Sequence, residues 1–104
     1  MDNLTRDRAS QLFSALSHPT RLRIVELLGP GPRSVNDISE SLQVSQSGIS
    51  QHLAVLTRAG VLAVEPMGAV RMYRVRGPRI VKILTLIEEF CTVHQLYGLA
   101  SEGE

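Results

Sequence analysis

The stretch Val44-Ser45-Gln46-Ser47-Gly48-Ile49-Ser50-Gln51-His52-Leu53-Ala54-Val55-Leu56 decides the fold of this chain of 104 residues. Ser45 is of a residue type that caps helix N-termini, and Ile49, Leu53 and Leu56 recur at the spacing of one helical face. The remaining side chains are mostly hydroxyls, amides and an imidazole. The stretch therefore predicts a helix that packs against a core on one side and presents hydrogen-bonding groups on the other.

A second, shorter helix is predicted immediately before it. Residues 35–42 have an amphipathic pattern, and Gln43-Val44 forms a tight connection to the longer helix. Two helices joined by so short a turn make a helix-turn-helix motif, whose second helix enters the major groove of DNA. The hydroxyl and amide groups suit the base edges and phosphates found there. We therefore expect a DNA-binding protein.

The flanking elements complete a winged helix-turn-helix. Helices are predicted at residues 5–16 and 20–28, with Pro19 opening the second of them and residues 29–32, Gly-Pro-Gly-Pro, ending it. Gly60 is expected to cap the helix of the opening stretch. Residues 61–65 and 70–75 read as strands around a turn at residues 66–69, and residues 79–99 as a long last helix. We expect one domain over residues 1–104, mainly α with a small β-hairpin.

Composition and charge narrow the function further. Positions 58–82 hold six basic residues and one acid, Glu65. Residues 83–104 hold four acids and no Lys or Arg. Such an uneven distribution favours phosphate binding on one face. No apolar run is long enough for a membrane span or a signal peptide, and a single cysteine fits the cytoplasm. No motif of an enzyme active site is present, so we expect no enzyme.

The last helix is apolar on two sides, which predicts a partner subunit. One stripe holds Ile80, Ile83, Leu84, Ile87, Cys91 and His94, and the other edge holds Leu86, Phe90, Val93 and Tyr97. A domain of this size cannot cover both sides by itself. We therefore expect a homodimer that pairs through this helix.

Four segments together resemble the ArsR/SmtB family of bacterial winged-helix repressors. They are LSHPTRLRI at 16–24, LQVSQSGISQHL at 42–53, LTRAGVL at 56–62 and YRV at 73–75. The resemblance implies a homodimer in which the terminal helices, at about residues 5–17 and 79–99, pair the subunits. It also implies that two recognition helices dock on an inverted-repeat operator and repress the adjacent promoter. The dimer interface would then include Leu12, Phe13, Ile80, Leu84, Ile87 and Cys91.

The resemblance also assigns DNA contacts. The base-reading positions of the family fall on Gln46, Ser47, Ser50, Gln51 and His52. Gln46 and Gln51 are expected to bind adenine, and Ser45, Ser47 and Ser50 to bind phosphates. For His52, two roles stay open: contact with a base and contact with a phosphate. Arg58 is expected to neutralise a phosphate, and Arg71 and Arg74 to supply charge that the wing tip lacks, because Ala69 and Val70 follow Gly68.

The inducer sites of the family are largely missing from this sequence. A Cys-Val-Cys-Asp thiolate site is replaced by Ser34-Val35-Asn36-Asp37, and hydroxyl and amide groups are poor ligands for soft metals. On the last helix, Cys91 and His94 are the metal candidates that remain, at a spacing of three residues, and two ligands do not complete a zinc site. We expect no metal and no cofactor.

Three questions stay open at this point. Three interpretations of Cys91 stay open: an apolar interface residue, a metal ligand or a redox sensor. A redox sensor would use this cysteine alone, because Glu26 occupies the position of the second redox cysteine of the family. An inducer, whether a small molecule or an oxidant, is possible but unassigned. The rival function is a winged-helix module for protein–protein association that has no operator of its own.

Overall fold

A computed structural model describes the backbone of residues 1–102 and the side chains of residues 1–94. Over this part of the chain the elements are α1 (Asn3–Leu16), α2 (Pro19–Leu28), β1 (Arg33–Ser34), α3 (Val35–Leu42), α4 (Gln46–Arg58), β2 (Leu62–Met67), β3 (Val70–Val75) and α5 (Pro78–Glu102). The predicted architecture, mainly helical with a small β wing after the helix-turn-helix, is confirmed.

Capping side chains define where the first two helices begin. Asp2 accepts a hydrogen bond from the backbone N–H of Thr5 at 2.7 Å, so α1 starts two residues before the predicted position. His18 caps α2 in the same way: its Nδ1 accepts from the N–H of Thr20 at 3.1 Å, and Pro19 takes the first helical position. Proline is favoured there because its missing N–H has no partner to lose.

The turn between α3 and α4 depends on backbone conformation and two serine caps. Ser34 accepts from the N–H of Asp37 at 3.2 Å, and Ser45 accepts from the N–H of Gly48 at 3.1 Å. Between the two helices, Gln43 adopts the left-handed conformation with φ of 59°. That conformation ends α3 abruptly, which allows α4 to begin three residues later.

A glycine ends α4, as predicted. Gly60 has φ of 82°, the N–H of Val61 donates to the carbonyl of Leu56 at 3.0 Å, and the N–H of Gly60 donates to that of Thr57 at 3.1 Å. This pair of bonds is the Schellman arrangement, which favours glycine at the left-handed position. It directs the chain from α4 into the wing.

The wing differs from the prediction in two ways. The sheet has three antiparallel strands in the order β1-β3-β2, because Arg33 and Ser34 pair with Tyr73 and Met72. The predicted turn at residues 66–69 was wrong: only residues 68 and 69 form the turn, and Met67 pairs with Val70. Pro66 lies inside β2, where it is tolerated because β2 is an edge strand of the sheet.

The core lies beneath the helix-turn-helix. The side chains that are fully buried come from α2, α3, α4 and the start of the wing, and include Ile24, Val25, Leu28, Ile38, Ile49, Leu53, Leu56 and Val61. Ala15 and Leu16 of α1 close one side of this cluster. The core therefore fixes the position of α4 from below and leaves its outer face uncovered.

Candidate nucleic-acid interface

Helix α4 presents a continuous polar face to solvent. Ile49, Leu53 and Leu56 are fully buried, while the exposed positions are Ser47, Ser50, Gln51, Ala54 and Arg58. The exposed residues follow the i, i+3, i+4, i+7 spacing of one helical face. Ser45, at the N-cap, and Gln46, in the first turn, are exposed as well. Within the described residues, Gln51 has no side-chain hydrogen bond.

Gln46 already has a partner on the neighbouring helix. Its Nε2 donates a hydrogen bond to Oδ1 of Asn36, in the first turn of α3. The same two residues line a recess of about 450 Å³ between α3, α4 and the wing, together with Arg71. The bond fixes the direction of the Gln46 amide relative to α3.

His52 is less exposed than the polar residues on the outer face of α4, Ser47, Ser50 and Gln51. It is half-buried, and its Nδ1 accepts a hydrogen bond from Nε of Arg21 at 3.2 Å. The imidazole ring of His18 lies beside it, with ring centroids 4.5 Å apart. Burial, then the proximity of His18, then that of Arg21, lower the pKa of His52 below its ordinary value. A neutral imidazole is therefore the state that fits this contact.

This contact makes stability depend on pH in a defined direction. Because the pKa of His52 is lower in the folded chain, protonation favours the unfolded chain, and stability falls as the pH drops below about 6.5. We expect His52→Asn, whose amide oxygen can still accept a hydrogen bond from Arg21, to reduce this pH dependence. The urea-unfolding midpoint of the variant should change less between pH 7.5 and 5 than that of the unmodified protein. An equal loss of stability in both proteins over that range would contradict this assignment.

The basic residues of this surface differ in whether their charge is paired with an acidic side chain. Arg58 is exposed at the end of α4, where its Nε donates to the carbonyl of Ala54 at 3.4 Å. Arg71 is exposed on the wing. Arg74, in contrast, forms an ion pair with Glu65 of the neighbouring strand, with Nε and Oε1 2.5 Å apart. Of the two wing arginines predicted to contact DNA, Arg71 is thus the one without an acidic partner in the described part of the chain.

The tip of the wing is apolar rather than basic. Met67 is 62% exposed and Val70 49% exposed, on either side of the two-residue turn. The predicted shortage of charge at the tip therefore coincides with an uncovered apolar surface. Any approach of the tip to DNA would rely on Arg71, one residue further along β3.

Known proteins with similar sequences and structures share this architecture. A family model described as a helix-turn-helix domain matches residues 16–65. The uncharacterized HTH-type transcriptional regulator Rv0081 of Mycobacterium tuberculosis is 38% identical over 78 residues, which cover 74% of this chain and 68% of that protein. Its crystal structure superimposes with a TM-score of 0.82 at 31% identity, covering 95% of this chain and 99% of that one.

The repressor SmtB of the same organism is 36% identical over 78 residues, 75% of this chain and 58% of that repressor. The chain belongs to the ArsR/SmtB family. It is accordingly a helix-turn-helix transcriptional regulator. The solution structure of Mb0332 from Mycobacterium bovis, a homodimeric winged helix-turn-helix DNA-binding domain, has the same fold, with a TM-score of 0.81 at 23% identity over 90% of both chains.

The residues that the ArsR/SmtB resemblance placed at a subunit interface fall into two groups. Leu12, Ile80 and Leu84 are half-buried and pack against the core of their own chain. Phe13, Ile87 and Cys91 are exposed, Phe13 by 59%. The second group is therefore the part of the predicted set that a single chain leaves uncovered.

The side chain of Tyr97, predicted on the second apolar edge of the last helix, lies outside the described residues. The two metal candidates of this ArsR/SmtB-family chain lie on the exposed part of α5. Cys91 is a free, exposed thiol, and the ring of His94 packs against that of Phe90 with centroids 4.3 Å apart. Among the residues whose side chains are described, no three of the His, Cys, Asp and Glu side chains come together in a way that could hold a metal ion. Over the same residues, none of the helices combines the length and apolar character of a membrane span.

Sequence reasoning missed two residues that shape this surface, Asn36 and Arg21. Each contacts a predicted DNA-binding side chain from another helix, ten and 31 residues away along the chain. The packing of α2 and α3 on α4 brings them close. The sequence carries no local signal for either pairing.

Proposed function

We propose that this regulator is a homodimer that binds an inverted-repeat operator and represses the promoter beside it. The outer face of α4 is the observation that carries the proposal. Ser47, Ser50 and Gln51 stand on one face of a helix whose opposite face is fixed in the core. Hydroxyls there suit phosphate oxygens, and a glutamine amide can pair with N6 and N7 of adenine in two hydrogen bonds.

Ala54 supports the same orientation of the helix. It is exposed and follows Ser47 by seven residues, so it continues the polar face with a side chain that is only a methyl group. A small side chain lets the helix axis approach the floor of the groove, and its methyl group can contact the methyl of thymine. Arg58 then lies at the end of the helix, within reach of a flanking phosphate.

A row of exposed apolar side chains on the terminal helices supports the homodimer. On α1 these are Leu4 and Phe13, and on α5 they are Leu86, Ile87, Phe90 and Val93. Such a large uncovered apolar surface marks an interface in a small domain. Mb0332, which has the same fold, is a homodimer. Two copies related by two-fold symmetry match an operator with two half-sites.

Titration of the protein with a labelled fragment of its own promoter region tests the proposal. Fluorescence anisotropy at several salt concentrations is expected to show binding that weakens steeply with salt, because each neutralised phosphate releases counterions. A scrambled fragment of equal length is the control and should bind much more weakly. Equal, salt-insensitive binding to both fragments would favour the protein–protein association module instead.

Two substitutions separate base reading from phosphate contact. We expect Gln51→Ala to lose about 1–3 kcal/mol of discrimination between operator and scrambled DNA, with little change in binding to the scrambled fragment. Arg58→Ala should weaken both by a similar factor and reduce the salt slope by about one phosphate contact. If Gln51→Ala weakened both fragments equally, Gln51 would not read a base.

A further inference from the structure

An apolar cavity separates α2 from α5, away from the outer face of α4. Its volume is about 340 Å³, and its apolar walls are Leu22 from α2 and Val81, Leu84 and Ile87 from α5. Gly29, at the end of α2, also borders it, and a β-carbon at that position would lie 3.6 Å from Val81 Cγ2. The lack of a side chain at Gly29 thus leaves room between the two helices.

Two carboxylates border the same cavity. Glu26 comes from α2 and Glu88 from α5, and both are exposed at its edge. Among the side chains described, neither carboxylate takes part in a hydrogen bond or an ion pair. No Lys, Arg or His of residues 1–94 lines the cavity. The result is an apolar pocket whose edge carries two negative charges and no compensating positive one.

We propose that this cavity binds a small organic cation that carries an apolar group. The apolar group would fill the space between Leu22, Val81 and Leu84, and the ammonium would lie between the carboxylates of Glu26 and Glu88. Charge complementarity selects the ligand class, because two carboxylates attract a cation and repel an anion, whereas a neutral compound gains no charge interaction with them. The volume lies near the lower end of the about 300–1,000 Å³ typical of ligand sites, which favours a small molecule.

The site goes beyond the proposed DNA-binding function, although Ile87 of its wall also belongs to the exposed apolar surface assigned to the homodimer. The cavity involves neither α4 nor the wing. Binding of the cation can therefore be measured without DNA, so a failure to bind the cation and a failure to bind the operator are separate results.

Titration of the full-length chain with 2-phenylethylamine, followed by calorimetry and by amide NMR shifts, tests the site. We expect saturable binding with shifts concentrated in α2 and α5, and affinity at least about tenfold higher than that of the uncharged 2-phenylethanol. Methylamine, which lacks the apolar group, should bind at least about tenfold more weakly than 2-phenylethylamine. Equal affinities for the amine and the alcohol, or no saturation by the amine, would overturn the proposal.

A matched set of variants locates the charge. Glu26→Gln combined with Glu88→Gln keeps the side-chain shape and should weaken 2-phenylethylamine at least about tenfold while leaving 2-phenylethanol unchanged. Glu89→Gln is the control, because Glu89 is exposed beside Glu88 on the same helix but does not line the cavity. Amine binding that weakened equally in the control, or not at all in the double variant, would also overturn the proposal.

Discussion

Phe13→Asp is expected to convert the protein to a monomer and to reduce operator affinity at least about a hundredfold. Phe13 is 59% exposed on α1, so its replacement opens no space in the core of the chain. At a two-fold interface the substitution occurs twice, and each aspartate would be buried without a partner. Burial of an unpaired charge costs more than the about 2–7 kcal/mol of an unpaired polar group.

Sedimentation measures the first part of this prediction and anisotropy with promoter DNA the second. Gln11→Asp is the matched control, since it adds the same charge at an exposed position of the same helix. We expect it to remain dimeric. A dimer of Phe13→Asp with unchanged operator affinity would show that the subunits pair through another surface.

Leu53→Ala is expected to destabilise the fold by about 3 kcal/mol, a large part of the about 5–15 kcal/mol available to a domain. Leu53 is fully buried under the polar face of α4, and the surrounding side chains cannot close the space left by its removal without moving that helix. With a urea slope of about 1.5 kcal/mol per molar, the unfolding midpoint should fall by about 2 M.

Val55→Ala, on the same helix, provides the comparison. Val55 is only half-buried, so its truncation should cost about 1 kcal/mol. Both variants are unfolded in urea at one protein concentration, because association with a second subunit would add to the measured stability. Similar midpoints for the two variants would mean that α4 is not supported by the core as described.

The sequence predicted the helix-turn-helix itself closely. Each boundary there has a local chemical cause: Ser34 and Ser45 are capping residues, and Gly60 adopts the left-handed conformation that ends α4. Apolar periodicity then identified Ile49, Leu53 and Leu56 as buried, and all three are. Local signals of this kind survive folding because the packing agrees with them.

The wing could be predicted only in outline. β1 is two residues long and exists because β3 pairs with it, so nothing in its own sequence marks it as a strand. Pro66 was interpreted as part of a turn, since proline disrupts most strands. The edge position of β2 makes it acceptable, and that position is a property of the whole sheet.

The state of the predicted DNA-binding side chains was also beyond the sequence. Exposure of Ser47, Ser50 and Gln51 follows from helical spacing. The partner of His52 does not, because Arg21 belongs to a different helix, and the ion pair of Arg74 with Glu65 depends on the register of the two strands. Contacts between distant segments decide which polar groups remain available, and a local pattern carries no information about them.

The hydrogen bond between Gln46 and Asn36 has a consequence for the operator. Recognition of a base by Gln46 exchanges one hydrogen bond for another, and an unsuitable base leaves the side chain with Asn36 rather than unpaired. Gln51 has no such alternative in the described part of the chain. Substitutions at the base pair opposite Gln46 should therefore reduce the affinity for the operator only slightly, whereas those opposite Gln51 should reduce it strongly. Natural binding sites of this regulator should accordingly vary at the base pair opposite Gln46 and share the same base pair opposite Gln51.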